Sequence, residues 1–81
     1  MHDVAIAASI VEKLKGYAGV KTVFVLLGRD SCVSAEMLKH SFSEARRGTP
    51  AAKAELVVLP GPGEDISLLS VELEEAPRGK A

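Results

Sequence analysis

The feature that most limits how this chain can fold is an almost continuous apolar run in residues 20–27, which read Val-Lys-Thr-Val-Phe-Val-Leu-Leu. Several of these side chains are β-branched or aromatic, and such residues favour extended backbone. A short run with almost no polar alternation is typical of a strand that is covered on both faces or nearly so. Gly28 and the polar residues after it end the run. We therefore expect a buried strand here.

Two amphipathic helices are expected, one before and one after this strand. Apolar residues recur every three or four positions in 3–17 and again in 34–47, which is the period of one helix face. Asp3 and Ser34 are placed to cap the two helix starts. The expected buried stripes are Ile6, Ile10, Leu14 and Tyr17, widened by Val4, Ala7 and Val11, in the first helix, and Ala35, Leu38, Phe42 and Ala45 in the second.

Two further strands are expected at 54–59 and 66–73. The turn formers Pro-Gly-Pro-Gly at 60–63 make a short connection, which favours neighbouring antiparallel strands. A helix between the first two strands favours a parallel pair. Residues 74–81 are charged and contain Pro and Gly, so we expect a disordered tail. The sequence predicts one α+β domain over residues 1–73, in the order α-β-α-β-β, with a three-stranded mixed sheet and two helices on one face.

Composition and charge exclude several classes of protein. With 47% hydrophobic and 26% charged residues, the 81-residue chain is an ordinary globular sequence. Its net charge of −1 gives no electrostatic reason to expect nucleic acid or an anionic membrane as partner. No apolar run approaches the roughly 20 residues of a membrane span, and the start lacks a secretory signal pattern. A single cysteine cannot form an internal disulfide, so we expect a reducing, cytoplasmic location.

The first three residues, Met1, His2 and Asp3, form a candidate metal site. The α-amine of Met1, the backbone nitrogen of His2 and its imidazole can close consecutive chelate rings, and the backbone nitrogen of Asp3 is a fourth donor. The initiator methionine is usually removed only when the second residue is small. Because His2 is bulky, we expect Met1 to be retained and to supply the amine. A nearly planar nitrogen site suits Ni(II) and Cu(II) better than tetrahedral Zn(II). The alternative is a histidine without a role at a frayed terminus.

Several short segments resemble one protein family in their order and spacing. The segments are Met1-His2-Asp3, Ser9-Ile10-Val11, Leu27-Gly28, Ser31-Cys32-Val33, Phe42-Ser43-Glu44-Ala45-Arg46-Arg47-Gly48-Thr49, Gly63-Glu64-Asp65-Ile66 and Leu69-Ser70-Val71-Glu72. Together they resemble the HypA/HybF family of hydrogenase nickel-incorporation accessory proteins. The resemblance implies nickel as the metal at Met1, His2 and Asp3, and the same architecture as the nickel domain of the family.

The chain departs from this family in one respect. Members normally carry a zinc module with two Cys-x-x-Cys pairs between the last two strands, where this chain has only the turn at 60–63. Such a tetrahedral site needs four thiolates, and Cys32 is the single cysteine here. We therefore expect a shortened form without zinc. The resemblance also implies a further nickel ligand, an acidic residue soon after the segment Ser31-Cys32-Val33. This chain has Ser34 in that neighbourhood, and Ser34 is expected to cap a helix instead.

Other candidates for chemistry are weaker. His40 is expected on the solvent face of the second helix, and Cys32 is expected to be a buried, unreactive thiol. Neither is expected to bind nickel. No sequence feature brings a nucleophile and a base together, and Gly61-Pro62-Gly63 lacks the features of a phosphate loop, so an enzyme is not expected.

Two functions remain open. The resemblance implies a nickel-binding, metallochaperone-like protein that assists nickel insertion during maturation of a nickel-iron hydrogenase or another nickel enzyme. Its implied partners are the nickel-handling maturation GTPase and the hydrogenase large subunit. The alternative is a metal-independent protein-interaction module derived from the same family. His2 separates them, because a metallochaperone needs a free amine and imidazole. A homodimer is compatible with both.

Overall fold

A computed structural model of the chain describes residues 2–74. Its elements are α1 (His2–Leu14), β1 (Val20–Gly28), α2 (Ala35–Ala45), β2 (Glu55–Gly61) and β3 (Ile66–Leu73). This order and the three-stranded mixed sheet confirm the α+β class expected from the sequence. Met1 and residues 75–81 of the expected tail lie outside the described part of the chain.

β1 is the central strand of the sheet, which has the order β2-β1-β3. It pairs with β2 in parallel, as predicted, and with β3 in antiparallel. The predicted pairing of β2 with β3 is wrong, because residues 62–65 carry the chain across the end of β1 instead of back along β2. The most continuously apolar strand thus has both edges paired. Pro60, which lacks an N–H, lies on an edge strand, where proline is tolerated.

Both helices pack on one face of the sheet. Val23 and Val25 of β1 are fully buried against them, whereas Phe24 and Leu26 point to the opposite face and are only partly buried. Full burial of one such aliphatic or aromatic side chain stabilises a fold by about 1.5–3 kcal/mol. The helix residues of the buried cluster are Ala7, Ile10, Val11 and Leu14 of α1, and Leu38 and Phe42 of α2.

Helix α1 is shorter than its apolar pattern. It ends at Leu14, and the N–H of Tyr17 donates to the carbonyl of Leu14 at 3.1 Å, in the tighter geometry of a last turn. Gly16 disfavours continuation of the helix. Tyr17 and Val4, both assigned to the buried stripe, are instead 42% and 56% exposed. Within residues 2–74, neither helix has the length and apolar character that crossing a membrane requires.

Helix α2 begins as predicted. Ser34 is its N-cap, and the hydroxyl of Ser34 accepts a hydrogen bond from the N–H of Met37 at 3.1 Å. The helix ends at Ala45, two residues before the predicted end. Gly48 follows with a φ of 70°, a left-handed conformation that favours glycine after a helix end.

The connection from β2 to β3 passes very close to the end of β1. The N–H of Gly28 donates to the carbonyl of Asp65 at 2.9 Å, and the N–H of Asp30 donates to the carbonyl of Gly63 at 2.8 Å. A Cβ at position 28 would lie 2.3 Å from the oxygen of Gly63. Glycine is therefore required at position 28 for the two loops to meet.

This close approach predicts that Gly28→Ala destabilises the protein. The added methyl would collide with backbone atoms, which cannot move aside as a flexible side chain can. We expect a loss of about 1–3 kcal/mol in the free energy of unfolding, which lowers the melting midpoint by roughly 5–20 °C. Gly16→Ala is the matched control, because a Cβ there meets nothing within 4 Å. Equal midpoints for the two variants would contradict the crossing geometry.

Candidate metal site

One end of the molecule gathers the candidate donors. β1 and β2 both end there and β3 begins there, because β2 is parallel and β3 antiparallel to β1. His2, the first residue of α1, is exposed at this end. It lines an open concavity of about 380 Å³, together with residues of the loop after β1 and of the connection 62–65. The fold therefore places the expected nickel ligand beside two loops.

Five of the nine residues that line this concavity carry side chains able to bind a metal ion. They are His2, Asp30, Cys32, Glu64 and Asp65. The three carboxylates give the concavity negative potential, which favours the approach of a divalent cation. Among residues 2–74, however, no three such side chains form a group that could hold a metal ion. The side chains of the described residues therefore do not by themselves form a complete metal site in this concavity.

The surroundings of His2 were not predicted from the sequence. In the sequence, Glu64 and Asp65 follow a turn and Asp30 follows the first apolar run, and no local pattern places them near His2. The sequence feature that could have indicated their proximity is that each of these three acidic residues lies next to a strand end: Asp30 follows β1, and Glu64 and Asp65 precede β3. This signal becomes informative only when the strand order is known, because the central position of β1 is what brings the two loops together.

The interpretation of Cys32 as a buried thiol is wrong, because Cys32 is exposed. Val33, its neighbour, takes the buried position and is 4% exposed. The N–H of Val33 donates to the hydroxyl of Ser31 at 3.1 Å, which forms a tight turn around Cys32. The thiol is thereby directed out of the core and toward the concavity that His2 lines.

Ser34 and His40 lie where the sequence placed them. The hydroxyl of Ser34 caps α2, so it has the structural role that the sequence predicts. His40 is exposed on α2. It is not among the residues that line the concavity beside His2.

Asp3 lies inside the first turn of α1 and does not precede it as the predicted cap would. Its carboxylate Oδ2 accepts a hydrogen bond from the hydroxyl of Ser41 at 2.5 Å. This bond is the main cause that lowers the pKa of Asp3 below its usual 3.8, and the backbone N–H groups of Asp3 and Val4 add to it. The contact therefore stabilises the fold above pH 3.8, and the contribution is lost as the pH falls through the folded-state pKa.

Two of the three expected site residues, His2 and Asp3, are thus described by the structure. Met1, which would supply the amine, lies outside the described residues. The first N–H groups of a helix have no carbonyl partner four residues earlier. The backbone nitrogens of His2 and Asp3 therefore lie outside the hydrogen-bond ladder of α1.

Two curated proteins with sequences similar to this chain are both hydrogenase maturation factors. No protein-family model matches the chain. The hydrogenase maturation factor HypA of Chlorobaculum parvum is 38% identical to it over 64 residues, which are 72% of this chain and 57% of the relative. The HypA factor of Chlorobaculum tepidum gives the same values. The chain therefore spans a little over half the length of the curated relatives that it matches.

The fold has a counterpart among solved structures. The solution structure of the Ni metallochaperone HypA from Helicobacter pylori matches with a TM-score of 0.73, and the match covers 88% of this chain and 96% of that one. At 14% identity, this likeness concerns the fold alone. The fold agrees with the 38% identity to the two Chlorobaculum factors. The chain belongs to the HypA family of hydrogenase maturation factors.

Proposed function

We propose that this chain is a nickel-binding, metallochaperone-like protein that assists nickel insertion during maturation of a nickel-iron hydrogenase or another nickel enzyme. The observation that supports this most is the position of His2, exposed at the start of α1 beside a concavity with three carboxylates. The names of its relatives, hydrogenase maturation factors and a Ni metallochaperone, point in the same direction. The role is one of binding and transfer, not of catalysis.

The proposed ligands of Ni(II) are the α-amine of Met1, the backbone nitrogen of His2 and its imidazole, joined by the backbone nitrogen of Asp3. Nitrogen donors in a tetragonal arrangement suit Ni(II). An exposed site suits an ion that has to be passed on. This ligand set requires a free amine at Met1. Binding is expected to weaken as the pH falls, because protons compete for the amine and imidazole and the backbone nitrogens must be deprotonated.

The nickel site predicts that untagged protein binds about one Ni(II) per chain in a calorimetric titration. His2→Ala, or a Gly-Ser extension before Met1, should abolish this binding because each removes a chelate donor. His40→Ala is the matched control and should bind as the parent does, since His40 is an exposed histidine that does not line the concavity. If both altered proteins bind nickel with the parent affinity, this ligand set is wrong. If the parent itself binds no nickel, the metal-independent interaction module replaces this proposal.

The fold should not depend on zinc. The residues present do not fit the zinc module of the family, because one cysteine cannot supply four thiolates. In this chain β1 pairs directly with both β2 and β3, and the short connection 62–65 stands in the place of the module. The sheet therefore closes without a metal.

This proposal predicts that EDTA leaves the cooperative thermal unfolding of the purified protein unchanged. A fold coupled to a structural metal would instead unfold when the metal is removed. Elemental analysis of the same sample should find no stoichiometric zinc. Zinc at one equivalent, or a melting midpoint that falls sharply in EDTA, would contradict it.

We propose the nickel-handling maturation GTPase and the hydrogenase large subunit as partners. The polar residues Glu12, Lys13 and Lys15 offer one docking face on the first helix. In the structure Glu12 and Lys15 form an exposed ion pair at 3.1 Å, near the far end of α1. At 1.5 Å per residue, they lie roughly 15 Å from His2. A partner that takes nickel must therefore contact the start of α1, where Val4 is 56% exposed.

This docking face predicts that Val4→Asp weakens co-purification of the GTPase, because it puts a charge on an exposed apolar residue in the same first turn of α1 as His2. Lys15→Asp, at the other end of α1, is the matched control and should have a smaller effect. The opposite ranking would move the docking face to the far end of the helix. No co-purification of the parent, with or without nickel and nucleotide, would remove the GTPase as a partner and leave nickel binding standing.

A further inference from the structure

We propose that Ser41 is a positioning residue for the nickel site, and that it acts through Asp3. Its hydroxyl donates to the carboxylate Oδ2 of Asp3 at 2.5 Å, across 38 residues of sequence. Among the hydrogen bonds found in residues 2–74, this is the one that joins two side chains. The inference rests on the proposed function, since it concerns how that site is held.

Ser41 is well placed to restrict the motion of the Asp3 carboxylate. It is 7% exposed on α2, and the side chains of Leu38 and Phe42 on the same helix are almost completely buried in the core. A hydroxyl on this face has little freedom to move. Its bond to an ionised carboxylate is charge-assisted and therefore stronger than a bond between neutral groups.

The bond also sets the direction of His2. Successive residues of a helix point about 100° apart, so a side chain fixed at one position determines where its neighbour points. With Asp3 held against α2, His2 is directed to the concavity that Asp30, Glu64 and Asp65 line. One hydrogen bond therefore fixes the turn that carries the proposed ligands.

Preorganisation is the physical reason why this matters for nickel. All of the proposed donors belong to residues 1–3, and the ends of chains and helices fray when nothing holds them. A frayed terminus would have to be ordered by the metal, and that cost reduces affinity. The Ser41 bond orders the third residue when the protein folds, before nickel arrives.

The test compares nickel affinity in Ser41→Ala with that of Ser43→Ala by calorimetric titration. Ser43 is the matched control, because it is on the same helix and its hydroxyl donates only within α2, to the carbonyl of His40 at 2.6 Å. We expect Ser41→Ala to bind nickel roughly tenfold more weakly, as the loss of a bond to a charged group would cause. Ser43→Ala should bind as the parent does.

A further comparison separates positioning from a general loss of stability. Ser41→Thr and Ser41→Val have nearly the same shape and differ in the hydroxyl. We expect the Thr variant to keep its nickel affinity and the Val variant to lose it, with both proteins fully folded at the temperature of the titration.

Equal nickel affinity in the parent, Ser41→Ala and Ser41→Val would overturn the positioning role and leave the proposed nickel site intact. Equal losses in Ser41→Ala and Ser43→Ala, or in the Thr and Val variants, would also overturn it, since the hydroxyl would then not be the cause. A parent protein that binds no nickel would overturn the positioning role together with the proposed function.

Discussion

The crossing of the β2–β3 connection over the end of β1 is the contact on which the rest of the molecule depends. Gly28 has no side chain, so its N–H can reach the carbonyl of Asp65, and the N–H of Asp30 can reach that of Gly63. These bonds hold the loop after β1 against the connection that follows β2. Without them, β3 could not lie on the other edge of β1. The same contact gathers acidic side chains from both loops at one end of the sheet.

The first turn of α1 lies at the same end of the sheet, and its first two residues point in different directions. Asp3 is turned to α2, where the hydroxyl of Ser41 holds its carboxylate. His2, its neighbour, is turned to the concavity between the loops and remains exposed. One residue thus anchors the helix start while the next stays accessible to an ion. This division suits a protein that we propose to bind nickel transiently, since the ligand is held in place without being buried.

The sequence predicted those features that depend on local patterns. The spacing of Leu38 and Phe42 identified the buried face of α2, the position of Ser34 identified its N-cap, and the apolar run identified β1. The predicted strand order was wrong, because a short connection can either return along its own strand or cross to the far side of the neighbouring strand. The exposure of Cys32 depends on one tight turn. The Asp3–Ser41 bond joins residues 38 positions apart, and no local pattern marks it.

The central claim is that nickel is held at the start of the chain by nitrogen donors that include the imidazole of His2. X-ray absorption at the nickel edge of the loaded, untagged protein tests this most directly. We predict a first shell of nitrogen donors with the outer-shell scattering of one imidazole in the parent protein, and no bound nickel in His2→Ala prepared in the same way. A shell dominated by sulfur from Cys32 or by carboxylate oxygen, unchanged in His2→Ala, would contradict it.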